Sequence, residues 1–424
     1  MKTAANIVKS STPPPIMTVS QVWAEIKEGM TIVCSMGAAE PQAFFSSLHQ
    51  EIGSRRDLRV HCANPSQDYP CFKTMSAEQV RFNVMFLTEA MRHRQQASPV
   101  AYVPQHLSQW VENLRRRPEG VDLFWGSCTP PDNRGFVSLG VGACYESEVL
   151  RFAERVILEV NPHMPSTFGT TTIHLSEIDA LIENPHPLPT LSPQVSSATE
   201  RAIAQHVASL VPDGATIQLG IGGIPNAMIG ALEGKRDLGV HTEMINDCIM
   251  ILAKKGLITG RQKSIWPGKI VGTFALGSQE LYDFVHMNPM VEFQPASVVN
   301  DPYRIGRNSK MISINTAVEI DVTGQVCSES VGHLELSGVG GAADTHIGAQ
   351  RSVGGRGIIA IPSTAKGDSI SKIVFELRPG AKVSISRNDV DTIVTEFGIA
   401  ELRGKSVAEK GSITPPLVSW EVFR

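Results

Sequence analysis

The chain has 424 residues, more than one hydrophobic core usually spans, so two or more domains are expected. Hydrophobic residues make up 42% and charged residues 19%, with a net charge of −4, a balance that suits a packed soluble protein and gives no pointer to nucleic acid. No apolar run reaches the roughly 18 residues that would cross a membrane, so neither nucleic acid nor membrane is expected as a partner.

The N-terminus "MKTAANIVKSSTPPP" has a lysine but no apolar signal region, and a cytoplasmic location is expected. Short apolar runs then follow, among them "TIVCSMG", "VDLFWGS" and "RVILEVN", separated by helix-like stretches. The basic run "RRRP" at Arg115–Pro118 reads as a solvated helix end. Residues 183–197, "ENPHPLPTLSPQVSS", hold four prolines and no apolar periodicity. They divide the chain into an N-terminal part, 1–185, and a C-terminal part, 195–424.

Beyond that linker the pattern resumes with "ATIQLGIGG", "KIVGTFALG", "GIIAIPS", "AKVSIS" and "DTIVTEFG". Apolar runs flanked by glycine and alternating with amphipathic segments indicate α/β organisation, with two open, largely parallel sheets. One segment departs from this: "KMISINTAVEIDVTGQVCSES" alternates β-branched residues and reads as a hairpin turning near Thr323-Gly324. The seven cysteines, Cys34, Cys62, Cys71, Cys128, Cys144, Cys248 and Cys327, contain no CxxC pair and read as reduced thiols. Cys248 reads as buried and inert.

Three segments could carry chemistry. In "ATIQLGIGGIPNAMIGALEG", residues 215–234, a strand ends at Gly220, glycines follow, and Pro225 is placed at the first position of a helix. Such a turn offers backbone N–H groups to an anion, although a GxGxxG fingerprint fails at Pro225. In "GVHTEMINDC", residues 239–248, Glu243 follows a short strand that Leu238, Val240 and Thr242 suit. From Gly220 to Glu243 the chain makes one βαβ unit, so the glycine turn and Glu243 fall at strand carboxyl ends, where open α/β sheets bind ligands. On this argument alone Glu243 reads equally well as a helix-start carboxylate favoured by the dipole. The third segment, residues 336–368, is rich in glycine and carries Lys366, which could neutralise a phosphate or be an ordinary surface lysine. Other motifs fail. No serine lies in a G-x-S-x-G elbow, "GIAELRGKS" lacks phosphate-loop spacing, and the twelve histidines give no zinc pattern, so no metal is expected.

Together "IQLGIGGIPNAM", "GVHTEMINDCIMILAKKGLITG", "SINTAVEIDVTGQV", "SGVGGAAD", "PSTAKGDSISKIV" and "TEFGIAELRGKS" resemble the acetyl-CoA hydrolase/transferase family. This is the group of glutamate-dependent CoA-transferases that includes 4-hydroxybutyrate, butyrate and itaconate CoA-transferases. "SCTPPDNRGFVSLG" and "ILEVNPHMPSTFGTTTIHLSEIDALIE" extend the resemblance into the N-terminal half, over roughly residues 15 to 408. It implies two α/β domains of the CoA-transferase type and a homodimer. It implies no permanently bound cofactor, with coenzyme A or acyl-CoA and small carboxylic acids as substrates. Glu243 matches the family's nucleophile in its "H-[ST]-E-M" motif. Gly220, Ile221, Gly222, Gly223 and Ile224 match its CoA-binding turn, and Asn315, Gly340 and Gly341 match donors to the thioester oxyanion. Val318 and Gly341 match positions touching CoA, and Lys366 is placed near a CoA phosphate on its charge.

The implied reaction is CoA transfer by a ping-pong route through a glutamyl-CoA thioester. Net acyl-CoA hydrolysis, or CoA binding with impaired catalysis, are the alternatives. With a reference pKa of about 4.3, the glutamate is expected to be ionised at neutral pH. Arg304, Arg307 and Arg351 could bind a second carboxylate or be surface arginines. The end of the chain departs from the family: "GSITPPLVSWEVFR" holds Pro415-Pro416, so irregular structure is expected from about residue 411.

Overall fold

The computed structural model describes residues 13–92, 99–192 and 194–414. The chain forms two compact units: residues 1–105, 109–191 and 273–297 make the first, and residues 106–108, 192–272 and 298–424 the second. Two short segments, 106–108 and 273–297, thus join the unit opposite to their neighbours in sequence.

In the first unit seven strands form one sheet: β1 (Thr31–Cys34), β2 (Leu58–His61), β3 (Val80–Val84), β4 (Val100–Tyr102), β5 (Leu123–Cys128), β6 (Arg155–Val160) and β7 (Ala180–Glu183). Their order is β4-β3-β2-β1-β5-β6-β7, every pair is parallel, and Ile32 faces both Val60 and Leu123. Strands β1 and β5 are buried along their whole length, as strands covered on both faces must be. Helix α1 (Val19–Glu25) starts at a capping box in which Thr18 and Gln21 satisfy each other's backbone N–H. Its Trp23 stacks on Phe44 of α2 (Gln42–Glu51) at 5.4 Å, and Phe44 lies 5.0 Å from Trp125. This aromatic group sits at the centre of the unit's core.

The second unit repeats the plan with β8 (Thr216–Leu219), β9 (Gly239–His241), β10 (Ile270–Gly272), β11 (Met311–Asn315), β12 (Arg356–Ala360), β13 (Thr392–Thr395) and β14 (Gly398–Glu401). They run in the order β10-β9-β8-β11-β12-β13-β14, all parallel except the β13–β14 pair. Going along the chain, β8 to β10 step one way across the sheet and β11 to β13 step the other. Strands β8 and β11 are therefore the topological switch point, outside whose carboxyl ends open α/β sheets hold their ligands. Helices α4 (Ala198–Ser209), α5 (Gly223–Ala231), α6 (Asp247–Lys254), α7 (Ala342–Arg351) and α8 (Val407–Ile413) belong to this unit, with α3 (Trp110–Arg115) in the first. No helix among the described residues is long and apolar enough to cross a membrane.

The structure bears out the α/β class and departs from the sequence reading in four places. Residues 311–315 are a core parallel strand, so the hairpin is shorter, pairing Glu319–Asp321 with Val326–Cys327. Its turn is held by the Asp321 carboxylate, which accepts from Thr323 N and Gln325 N. The run "AKVSIS" is not a strand; it makes one isolated bridge, Ile385 to Val326. Helix α5 starts at Gly223, which puts Pro225 third rather than first, a position whose N–H lacks an intrahelical partner anyway. Finally, α8 continues through Ile413 behind a Ser406–Glu409 capping box, so 411–413 are helical; residues 415–424 lie outside the described residues. All seven cysteines are buried and none forms a disulfide, and burial pushes Cys248 up to about 12.

Candidate active site

Glu243 sits on the link between β9 and α6. Thr242 is tied down on one side by its N–H to Val271 O (3.0 Å) and on the other by its hydroxyl to Leu219 O (3.4 Å). Asn246 ends the link and does two jobs. Its Oδ1 caps α6 by accepting from Ile249 N (3.1 Å), and its Nδ2 donates to Gly220 O (2.7 Å). The glycine turn and the glutamate are thus fixed to each other through one side chain.

The turn itself begins at Gly220. Ile221 is 56% exposed at its tip, Gly222 has φ +114, and Gly223 and Ile224 open α5. No side chain caps α5, so no capping side chain occupies the N–H groups of its first turn, as an anion site would need. Gly223 lies against the Glu200 carboxylate, which itself completes the cap of α4 at Ser197; a Cβ at 223 would come within 1.9 Å of it.

The carboxylate of Glu243 meets groups from two other elements. Asn300 Nδ2 donates to its Oε2 at 3.2 Å, and the Gly341 amide N–H also donates to it. Gly340 has φ +53, and its carbonyl accepts from Leu107 N (3.2 Å). Gly341 is the N-cap of α7, and a Cβ there would lie 2.1 Å from Glu243 Oε2 and 2.0 Å from Asn300 Nδ2. Only glycine permits that approach. On the same helix Asp344 is buried and accepts from Ser108 N (3.1 Å) and Ser108 Oγ (3.0 Å).

Burial pushes the Glu243 carboxyl up to about 7; the Asn300 and Gly341 hydrogen bonds oppose this and the nearby Asp344 charge adds to it. The expectation of a fully ionised glutamate at neutral pH is therefore corrected. Desolvation disfavours the charged form, and two donors only partly offset it.

Asn300 escaped the sequence reading, and so did what holds it. Its backbone neighbour Val299 accepts at its carbonyl from His241 Nε2 (2.8 Å), and Asn308 Nδ2 lies 3.3 Å from His241 Nδ1. A carbonyl accepts only, so the ring proton is on Nε2 and Nδ1 accepts from Asn308. Burial pushes His241 down to about 3, which keeps it neutral.

The remaining candidates fall elsewhere. Asn315 ends β11, and its Nδ2 donates to Ser313 Oγ (2.9 Å), Thr345 Oγ1 (3.1 Å) and Ala342 O (3.4 Å), tying the switch-point strand to the first turn of α7. Val318 opens the hairpin, with its N–H on Cys327 O (2.8 Å). Lys366 is exposed, with φ +52, in the turn between Thr364–Ala365 and Ile370–Ser371. Arg304, Arg307 and Arg351 are exposed; Arg304 pairs with Asp301 and Arg351 lies over the Tyr303 ring. Arg351 closes α7, about 15 Å along the helix from Gly341.

A glutamate held by an amide and a helix N-terminus, beside a glycine turn at a switch point, calls for comparison with known enzymes. The sequence profile of the acetyl-CoA hydrolase/transferase N-terminal domain matches residues 9–192, and that of the C-terminal domain matches residues 277–412. The 4-hydroxybutyrate coenzyme A transferase of Clostridium kluyveri is 44% identical over 330 residues, covering 78% of this chain and 77% of that protein. The chain belongs to the acetyl-CoA hydrolase/transferase family. The succinyl-CoA:cyclohexane-1-carboxylate CoA transferase of Geobacter metallireducens is 38% identical over 390 residues, covering 91% of this chain and 88% of that one. Among solved structures, RipA from Yersinia pestis superposes with a TM-score of 0.91 at 34% identity, covering 96% of this chain and 94% of that one. Relatives named acetyl-CoA hydrolases are more distant. The chain is an enzyme of this hydrolase/transferase family, and Glu243 lies in the stretch between the two matched domains.

Proposed function

We propose that this enzyme is an acyl-CoA:carboxylate CoA-transferase in which Glu243 is the nucleophile. The observation that carries the reading is the Glu243 carboxylate held between Asn300 and Gly341, next to the glycine turn, at the carboxyl end of β9. A carboxylate oxygen of Glu243 attacks the thioester carbonyl of the donor acyl-CoA. The C–S bond breaks, CoA leaves as thiolate, and an acyl-glutamyl anhydride remains. The thiolate then attacks Cδ of Glu243, the C–O bond to the donor acid breaks, and that acid departs as carboxylate. An acceptor carboxylate reverses both steps, so the cycle neither consumes nor releases a proton.

A carboxylate is a weak nucleophile, so placement and charge stabilisation must supply the rate. Fixed orientation can contribute on the order of 7–11 kcal/mol, and a donor at the oxyanion roughly 3–4 kcal/mol. The glycine turn of Gly220, Ile221, Gly222, Gly223 and Ile224, with α5 behind it, is assigned to CoA phosphate. Val318 is assigned to a CoA contact on the resemblance, Lys366 to a CoA phosphate on its charge, and Asn315 to the thioester oxyanion of the donor. The substrates are small acids such as 4-hydroxybutyrate, butyrate, acetate, succinate or itaconate. A homodimer in the cytoplasm belongs to the same reading and is tested by sedimentation.

Initial rates measured against both substrates should give the parallel lines of ping-pong kinetics, and Glu243→Ala should abolish transfer. Free thiol released as fast without an acceptor acid as with one would favour hydrolysis instead.

A further inference from the structure

A strand inside a parallel sheet is covered on both faces and is normally apolar on both. Strands β2 and β3 are apolar on one face only. Leu58 and Val60 of β2, with Val80 and Phe82 of β3, face the aromatic core, while the alternate positions pair Arg59 with Arg81 and His61 with Asn83. The upper part of that second face is not left to solvent, since His61 is 4% exposed and Asn83 8%. Beside these two lies a cavity of about 210 Å³, with Trp110 and Leu114 on its apolar side and Gln105, Asn113 and Arg117 completing its polar side. All of these residues belong to the first unit. We infer that this cavity is a binding site for a short-chain monocarboxylate, formed by the first unit alone. The inference does not draw on the role of Glu243.

The polar side has donors to spare. Glu119 accepts from Arg117 Nη1 alone (3.3 Å), and among the described residues Nε and Nη2 of that guanidinium have no partner. Gln105 Oε1 accepts from Asn113 Nδ2 (3.0 Å), which leaves Gln105 Nε2 as a donor. His61 Nε2 and Asn83 Nδ2 approach each other only to 3.4 Å, near the far limit of a hydrogen bond. Covered polar groups are normally satisfied, so a set with this much unused capacity is completed by another molecule's oxygens. Water alone would satisfy the polar side. The apolar wall, where Trp110 is held against Tyr145 at 4.0 Å, suits a ligand that carries an alkyl chain as well.

Charge selects the head group. Burial, helped by the nearby Arg117, pushes His61 down to about 4, so at neutral pH it is an uncharged partner. Arg59 is paired with Asp57, and Arg117 is partly compensated by Glu119. One half-engaged guanidinium suits a single negative charge, and its fork matches the two oxygens of a carboxylate. A phosphate dianion would find too little charge there. The placement agrees. His61, Val84 and Val103 stand at or just past the carboxyl ends of β2, β3 and β4, the edge at which open α/β sheets take ligands, and offset from the switch between β1 and β5.

Trifluorobutyrate, a short monocarboxylate followed by fluorine NMR, tests this on the whole enzyme, on Arg117→Gln, and on Asn113→Phe, which fills the cavity without removing a charge. The parent should show a saturable bound signal that butyrate displaces and that inorganic phosphate at the same concentration does not. The affinity behind that signal should fall about tenfold or more in Arg117→Gln, through loss of a charge-assisted pair, and the signal should vanish in Asn113→Phe. Acid bound where an acceptor reacts would give a second signal, untouched by either substitution. Turnover of acyl-CoA, by transfer or hydrolysis, should stay within about threefold in both variants. Should Arg117→Gln fail to fold, as judged by its thermal melt, Asn113→Phe decides alone. No bound signal in the parent, equal affinity in parent and variants, or displacement by phosphate as readily as by butyrate would overturn the inference. So would turnover that fell in step with the signal, which would make the cavity part of the reaction site.

Discussion

At the scale of the residue, the role proposed for Glu243 makes its ionisation the determinant of the working pH. Burial pushes its carboxyl up to about 7, the hydrogen bonds from Asn300 and Gly341 pull it down, and Asp344 pushes it further up. Only the ionised form is nucleophilic, so kcat/KM for the acyl-CoA should rise through about pH 7 and level off above it. Since kcat/KM reports the free enzyme, a pH profile at low substrate measures this group directly. A rate already flat at pH 5.5 would return the carboxyl to its ordinary range. Glu243 itself was legible because a carboxylate so close behind a short buried strand needs a reason. Asn300 was not, because it lies 57 residues away and precedes an Asp-Pro pair that reads as an ordinary helix start. Its one signal was that Asp301 already supplies the cap, which left the asparagine without a local task.

At the scale of the element, the turn from β8 into α5 depends on a backbone conformation. Gly222 has φ +114 and ψ −169, a region open essentially to glycine, while nothing lies within 4 Å of where its Cβ would stand. Gly222→Val therefore meets strain rather than a clash, on the order of 1–3 kcal/mol. The turn should relax to another shape, lowering the melting temperature by a few degrees and weakening CoA at least tenfold. Unchanged CoA affinity, measured by calorimetry, would give the turn a purely structural role. The β8–α5–β9 unit was legible because its apolar runs and glycines sit at the spacing a parallel crossover needs. Strands β2 and β3 were harder to see, since "LRVH" and "VRFNV" carry Arg59 and Arg81 at positions that break the apolar run. The stretch around Met311 misled for the opposite reason: one run of alternating residues supplies both a core strand and the first arm of a hairpin.

At the scale of the whole molecule, buried ionisable groups give stability a definite pH dependence. Burial raises Glu40, Glu159 and Glu243 to about 7 and Asp344 to about 6. It lowers His61 and His346 to about 4 and His241 to about 3. Between their ordinary values and about 7 the folded carboxyls keep protons that the unfolded chain releases, so their effect is to lower stability as pH rises through that window. The histidines act the other way: below about 6.5 the unfolded chain takes up protons that the folded chain refuses, and stability falls as pH falls. Above about 6.5 the carboxyls act alone, and below about 4.5 the histidines do. Groups of both kinds occur in each compact unit. The midpoint of thermal unfolding should therefore be highest near about pH 5 and decline toward pH 8. A midpoint still climbing at pH 8 would contradict this.

The role proposed for Glu243 is to carry CoA between half-reactions. It is tested most directly by adding acyl-CoA without an acceptor acid, quenching with hydroxylamine or borohydride, and mapping the modified peptide by mass. A hydroxamate, or the corresponding alcohol, is expected at Glu243 in the parent enzyme and none in Glu243→Ala. A label on any other carboxylate, or ping-pong transfer surviving in Glu243→Ala, would contradict it.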